Sequence, residues 1–136
     1  MITRLAHVCI GATDLAATER FYVDSLGMAV AFEFFRGDQR IGFYLKAGDS
    51  TFIEVFAERE NPNFERPIIK HFCLQVEDLG AAVGKLQRAG VDVSAMKLGG
   101  DGAWQAWITD PSGVRIELMQ YGDDSSQFSG EKVTLD

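Results

Sequence analysis

The chain repeats itself, and that repeat limits its possible folds more than any other feature. His7-Val8-Cys9-Ile10 overlays His71-Phe72-Cys73-Leu74, and at the same spacing Asp14-Leu15 falls on Asp78-Leu79 and Ala17 on Ala81. After a one-residue adjustment Gly27 falls on Gly90, and Ile53-Glu54-Val55 on Ile116-Glu117-Leu118. Two copies of one supersecondary unit therefore fill residues 1–60 and 61–121, leaving a polar, acidic tail at 122–136. With 136 residues in all, the two copies are expected to form one compact domain.

Each copy reads as a strand, a helix and then three strands, an α+β pattern. In the first copy, Leu5–Ile10 is an apolar run and Asp14 can cap a helix that ends near Gly27. Ala29–Phe35, Arg40–Lys46 and Thr51–Ala57 follow as strands, separated by Gly37-Asp38 and Gly48-Asp49. In the second copy, Ile68–Val76 is the first strand and Asp78–Ala89 the helix, closed by Gly90. Strands at Val91–Met96, Ala103–Thr109 and Val114–Tyr121 complete it, with Asp110-Pro111-Ser112-Gly113 fitting a type I turn. Glu58–Pro67 reads as the linker between copies. The tail is expected to be loose or to strap over another surface.

Period-2 reading of the strands singles out a few polar residues. Glu54 shares one face with Phe52 and Phe56 while Ile53 and Val55 occupy the other, so neither face of its strand looks wet. A carboxylate there is costly unless protonated, paired or bound to a cation. An edge position or a lysine partner would explain it as well as a function would. Glu117 sits with Arg115 and Met119 and is compatible with a solvated face. His7 and His71 each lie on an apolar strand, where a lone histidine is more often a satisfied core residue than a ligand. The four taken together read differently. The chain has only two histidines, both at repeat-matched positions, and Glu54 and Glu117 are matched as well. A pseudo-twofold axis between the copies would bring two imidazoles and two carboxylates together, a good set for one divalent first-row metal. Ni, Co, Zn, Mn and Fe all fit. Cys9 and Cys73 follow each histidine by two residues and read as small buried hydrophobes.

The pattern resembles the vicinal oxygen chelate superfamily, which includes glyoxalase I, methylmalonyl-CoA epimerase, extradiol dioxygenases and the fosfomycin- and bleomycin-resistance proteins. The resemblance covers about residues 4–121. It rests on His7, the Asp14-Leu15 helix start, Phe21-Tyr22 with Leu26-Gly27, Glu54, His71, and Asp110-Pro111-Ser112-Gly113 leading into Ile116-Glu117-Leu118. It implies two βαβββ modules in pseudo-twofold repeat, with mixed, curled sheets around a metal cleft, often in a homodimer. The order His-Glu-His-Glu is similar to bacterial glyoxalase I, and the epimerase pattern is the next nearest. By that resemblance His7, Glu54, His71 and Glu117 are the metal ligands. Glu117 is the proton-shuttling base, with Glu54 its counterpart across a metal that stabilises an enediolate.

Two positions depart from glyoxalase I. Gly11 and Glu58 stand where that enzyme carries an arginine and an asparagine used for glutathione. Arg36, Arg40, Lys97 or Arg115 would have to supply the missing cation. Phe52, Phe56, Trp104, Arg115 and Met119 are the candidate substrate contacts, and Gly99-Gly100-Asp101-Gly102 could form a lid. The expected function is a metal-dependent lyase or isomerase acting on a small molecule. An epimerase or racemase is the first alternative and a drug-sequestering protein the second. A ring-cleaving oxygenase ranks last, because Glu54 would fill coordination space that oxygen needs.

Composition narrows the partners. A formal net charge of −7 and the absence of a basic run argue against nucleic acid. No apolar stretch is long enough for a membrane span, and the first residues do not read as a signal peptide, so a cytoplasmic location is expected.

Overall fold

The structure, a computed structural model, describes residues 4–58 and 69–133. The chain divides into two compact units. One holds residues 4–58 together with the turn Asp110–Val114, and the other holds residues 69–109 and 115–133.

The first unit runs β1 (His7–Ala12), α1 (Leu15–Arg20), a π-helical turn at Phe21–Ser25, β2 (Ala29–Arg36), β3 (Gln39–Ala47) and β4 (Thr51–Ala57). Its sheet has the order β1-β4-β3-β2, with β1 parallel to β4 and the other pairs antiparallel. The second unit runs β5 (Phe72–Gln75), α2 (Leu79–Arg88), β6 (Lys97–Leu98), β7 (Trp104–Thr109) and β8 (Arg115–Gln120), followed by a short α3 (Ser126–Ser129). Its sheet repeats the arrangement as β5-β8-β7-β6, with β5 parallel to β8. The βαβββ unit thus occurs twice, as the sequence repeat implies.

The same local chemistry starts and stops both helices. Asp14 and Asp78 are extended at φ −137° and −134°, and their carboxylates accept hydrogen bonds from the Ala17 and Ala81 N–H groups, each at 2.9 Å. Past each helix, Gly27 (φ 73°) and Gly90 (φ 82°) take the left-handed conformation that a side chain would resist. Between α1 and Gly27 the helix widens, so that Leu26 N–H bonds to Phe21 C=O at 3.1 Å. Phe21 and Tyr22 are both buried there, with their rings edge to face at 5.1 Å.

Strand alternation gives each sheet one closed and one open face. In the first unit Ile10, Ala12, Phe43, Leu45, Ile53 and Val55 are buried, and so are Thr18, Phe21 and Tyr22 from the helical segment. In the second, Ala106, Ile108, Ile116 and Leu118 are buried along with Leu79, Val83 and Leu86 of α2. Each buried Val, Leu, Ile or Phe among them contributes about 1.5–3 kcal/mol.

The turn after β7 belongs to the first unit through specific bonds. Tyr22 Oη donates to Asp110 Oδ2 at 3.1 Å, and Thr13 N–H donates to Ser112 Oγ at 3.0 Å. The Asp110 carboxylate also accepts from the Ser112 and Val114 N–H groups, each at 2.8 Å. The expected turn is therefore present, with Gly113 N–H bonded to Asp110 C=O at 3.0 Å.

Three expectations are revised. Residues 91–96 form no strand, and only Lys97–Leu98 pairs with β7. Ser94 is the reason: its N–H bonds to Trp107 C=O and its Oγ accepts from Trp107 N–H at 2.9 Å, a side-chain substitute for a ladder. The first strand of the second copy begins at Phe72, so His71 immediately precedes β5. The Gly99–Gly102 segment is a tied turn, not an open loop. Gly99 N–H bonds to Ala103 C=O at 2.8 Å, and Ser126 N–H bonds to Asp101 C=O at 2.8 Å. The carboxyl-terminal segment acts as a strap, with Phe128 edge-on to Tyr121 at 5.9 Å. Apart from Glu58, the expected linker lies outside the described residues. Among those described, no helix is long and apolar enough to cross a membrane.

Candidate metal centre

The open face of each sheet carries one histidine and one glutamate. In the second unit β8 is central, and Glu117 pairs with Cys73 of β5 on one side and with Trp107 of β7 on the other. Glu117 is only 9% exposed. His71 enters the same face from just before β5, and its Nε2 lies 3.3 Å from Glu117 Oε2. The Trp107 ring fixes the imidazole edge to face at 4.8 Å. Among the described residues no lysine or arginine forms an ion pair with Glu117.

In the first unit β4 is central. Cys9 of β1 and Tyr44 of β3 flank Glu54, while His7 pairs with Phe52 one step along the same face. Glu54 is half-buried and His7 exposed. The sequence picks out Glu54 as the awkward carboxylate and treats Glu117 as compatible with a solvated face. The structure reverses this: Glu117 is buried and Glu54 half-buried, a difference that the alternation of a single strand does not reveal.

Phe52 and Phe56 lie on the Glu54 face, half-buried. Met119 is buried on the Glu117 face, paired with Gln105. Arg115 shares that face, with its guanidinium 4.5 Å from the Trp107 ring centroid. Trp104 does not share it. It pairs with Gln120 on the opposite face and is 48% exposed. Trp107 is the indole beside Glu117. Tyr44, between Phe32, Phe52 and His7, is a second residue the sequence does not bring forward.

The cysteines are exposed, contrary to expectation. Cys9 is opposite Glu54, and Cys73 Sγ lies 3.9 Å from Tyr121 Oη. Both thiols are pushed up, by desolvation first. The Glu54 carboxylate adds to the effect at Cys9, while the Tyr121 hydrogen bond opposes it at Cys73.

The two departures from glyoxalase I prove to be neighbours. A Cβ at Gly11 would stand 2.5 Å from Glu58 Oε2 and 3.1 Å from Glu58 Cβ. The Glu58 side chain occupies the room a larger residue 11 would need. Arg40 is also committed: Nη1 lies 2.6 Å from Glu19 Oε2 and Nε lies 2.8 Å from Glu33 Oε1.

Among the described residues no group of three or more His, Cys, Asp or Glu donors is assembled. Each unit presents a pair. Imidazole and carboxylate are suitable donors for a divalent first-row ion. A buried carboxylate whose one ion-pair partner among the described residues is an imidazole is what such an ion would neutralise, so the residues fit the group.

Comparison with known proteins agrees with this architecture. The family described as Glyoxalase/Bleomycin resistance protein/Dioxygenase superfamily matches residues 4–118. A curated relative, the uncharacterized protein YaeR of Escherichia coli (strain K12), is 30% identical over 130 residues, covering 88% of this chain and 97% of its own length. The solved structure of a glyoxalase family protein from Enterococcus faecalis is 26% identical with a TM-score of 0.74, covering 85% of this chain and 96% of that one. Lactoylglutathione lyase from Agrobacterium tumefaciens, at 18% identity and a TM-score of 0.68, shares the fold over 88% of this chain and 94% of its own. The chain belongs to the glyoxalase/bleomycin resistance protein/dioxygenase superfamily.

Proposed function

We propose that the protein is a metal-dependent lyase or isomerase of the glyoxalase I type, with His7, Glu54, His71 and Glu117 holding one divalent metal per site. Ni, Co, Zn, Mn and Fe suit the donor set equally. The observation that carries the reading is the His71–Glu117 pair: a buried carboxylate 3.3 Å from an imidazole, without a lysine or arginine partner among the described residues. The repeat-matched His7 and Glu54 share one face of the other sheet. When bound, the metal supplies Lewis acidity toward adjacent substrate oxygens.

The chain's own residues do the rest. Glu117 takes a proton from a substrate carbon through a carboxylate oxygen and returns it to the neighbouring carbon. Glu54 stands as its counterpart. Trp107 holds the imidazole of His71 edge-on, which fixes the direction of its Nε2. Met119, with Phe52 and Phe56, supplies apolar contact to the substrate.

The same proton transfer serves an epimerase, and one observation keeps that reading alongside the first: Glu58 fills the space beside Gly11, so a glutathione carboxylate finds a negative group there. The test is turnover. With the metal-loaded protein, hemithioacetal isomerisation is assayed first and thioester epimerisation second. Glu117→Gln should lower turnover by about 10²–10⁴-fold on whichever substrate is used. Turnover unchanged in this variant would remove Glu117 as the base.

A further inference from the structure

Arg115 stands on the Glu117 face with a charge that no carboxylate among the described residues takes up. Its guanidinium carbon lies over the Trp107 ring, 4.5 Å from the centroid. Trp107 pairs with Glu117 across β7 and β8 and meets the His71 ring at 4.8 Å. The obvious partner for Arg115 is Glu117 itself, two residues along the same face of β8. Glu117 instead has His71 beside it at 3.3 Å, and the arginine turns to the indole. Arg40 shows the ordinary alternative, held at 2.6 Å by Glu19 and at 2.8 Å by Glu33.

The indole attracts the cation through its electron-rich face but has no oxygen to accept the guanidinium N–H groups. Arg115 is therefore held in place while its hydrogen-bonding capacity is left over, and a guanidinium fork matches a carboxylate. Residues two apart on a strand are separated by about 6.7 Å. An anion held by Arg115 thus lies beside whatever carbon Glu117 reaches, rather than at a remote end of the substrate. The other cation of this face, Lys97, pairs with Gln105 from the edge strand β6, two strands from β8 and so about 9.6 Å away. One guanidinium at this spot suits a single negative charge.

We propose that Arg115 holds the carboxylate of the substrate, and that the substrate is a short oxo acid whose carboxylate lies two or three bonds from the carbon that Glu117 deprotonates. This deepens the reading of Glu117 as the base and rests on it. Arg115 is then a specificity-determining residue, and a substrate whose carboxylates are far from the reacting carbon leaves it unused.

The test titrates pyruvate, its neutral amide pyruvamide, and methyl phosphate into the full chain after chelator treatment, following the Trp107 indole N–H by NMR. Pyruvate should bind more tightly than either of the others. Arg115→Gln should weaken pyruvate by about fivefold, the upper end for an ion pair open to water, and leave pyruvamide unchanged. Arg88→Gln removes the same charge from an exposed position on α2 and should leave both unchanged. Absence of pyruvate binding, pyruvamide binding as tightly as pyruvate, or an equal effect of the two variants would overturn the proposal. Tighter binding of methyl phosphate than of pyruvate would overturn the choice of a carboxylate. The readout is affinity without metal or turnover, so a failure here is distinct from unchanged turnover in Glu117→Gln, which removes the base.

Discussion

Asp110 shows how one residue can tie a turn to a remote helix. Its carboxylate is buried and accepts two backbone N–H groups and the Tyr22 phenol. Burial nevertheless dominates, so its pKa is raised above the ordinary 3.8. A raised native pKa means that the folded chain holds this proton more tightly than the unfolded one. The associated stability is fully present below about pH 3.8 and is lost as pH rises through the native value. In Asp110→Asn, which keeps an oxygen for the backbone donors, that dependence is removed. Wild type should therefore lose stability relative to Asp110→Asn between pH 3.5 and pH 7, as measured by urea unfolding at each pH. A gap that stays constant, or that moves toward wild type, would show that desolvation is not the leading influence. At this scale the sequence misled in an instructive way. It ranks Glu54 above Glu117 because strand parity reports one strand's own neighbours, whereas burial is set by the whole fold, which leaves Glu117 buried and Glu54 half-buried. Strands β7 and β8 pair symmetrically about Ser112, which places Trp107 opposite Glu117.

At the scale of elements, the repeat made most of the architecture legible. Asp14 and Asp78 start their helices through equivalent bonds, and Gly27 and Gly90 end the helical segments, both at positive φ. Replacing Asp78 with alanine leaves the Ala81 N–H without its acceptor and should cost about 1 kcal/mol in urea unfolding, within a range of roughly 0.5–2. A cost near zero would mean that water replaces the cap fully. The elements that differ from the sequence pattern are those fixed by side chains outside it. Alternation at Val91–Met96 looks like a strand, but Ser94 bonds to Trp107 through its side chain and leaves only Lys97–Leu98 to pair. The π-helical turn at Phe21–Ser25 is likewise invisible to a 3.6-residue period, and it is what allows adjacent Phe21 and Tyr22 both to be buried.

For the whole molecule the account depends on four residues that the repeat matches in pairs. Each unit holds two of the four donors. The sequence identified the pairs because the only histidines of the chain fall at corresponding positions. It could not describe the surface around them, since the ring contacts of Tyr44 and Trp107 arise from registers across strands. The most direct measurement is bound divalent metal per chain, by elemental mass spectrometry, after equal exposure of wild type and His71→Ala to Ni, Co, Mn and Zn. The account predicts about one metal per chain in wild type and its loss in the variant. Wild type without metal, or a variant that retains it fully, would contradict the four-residue centre.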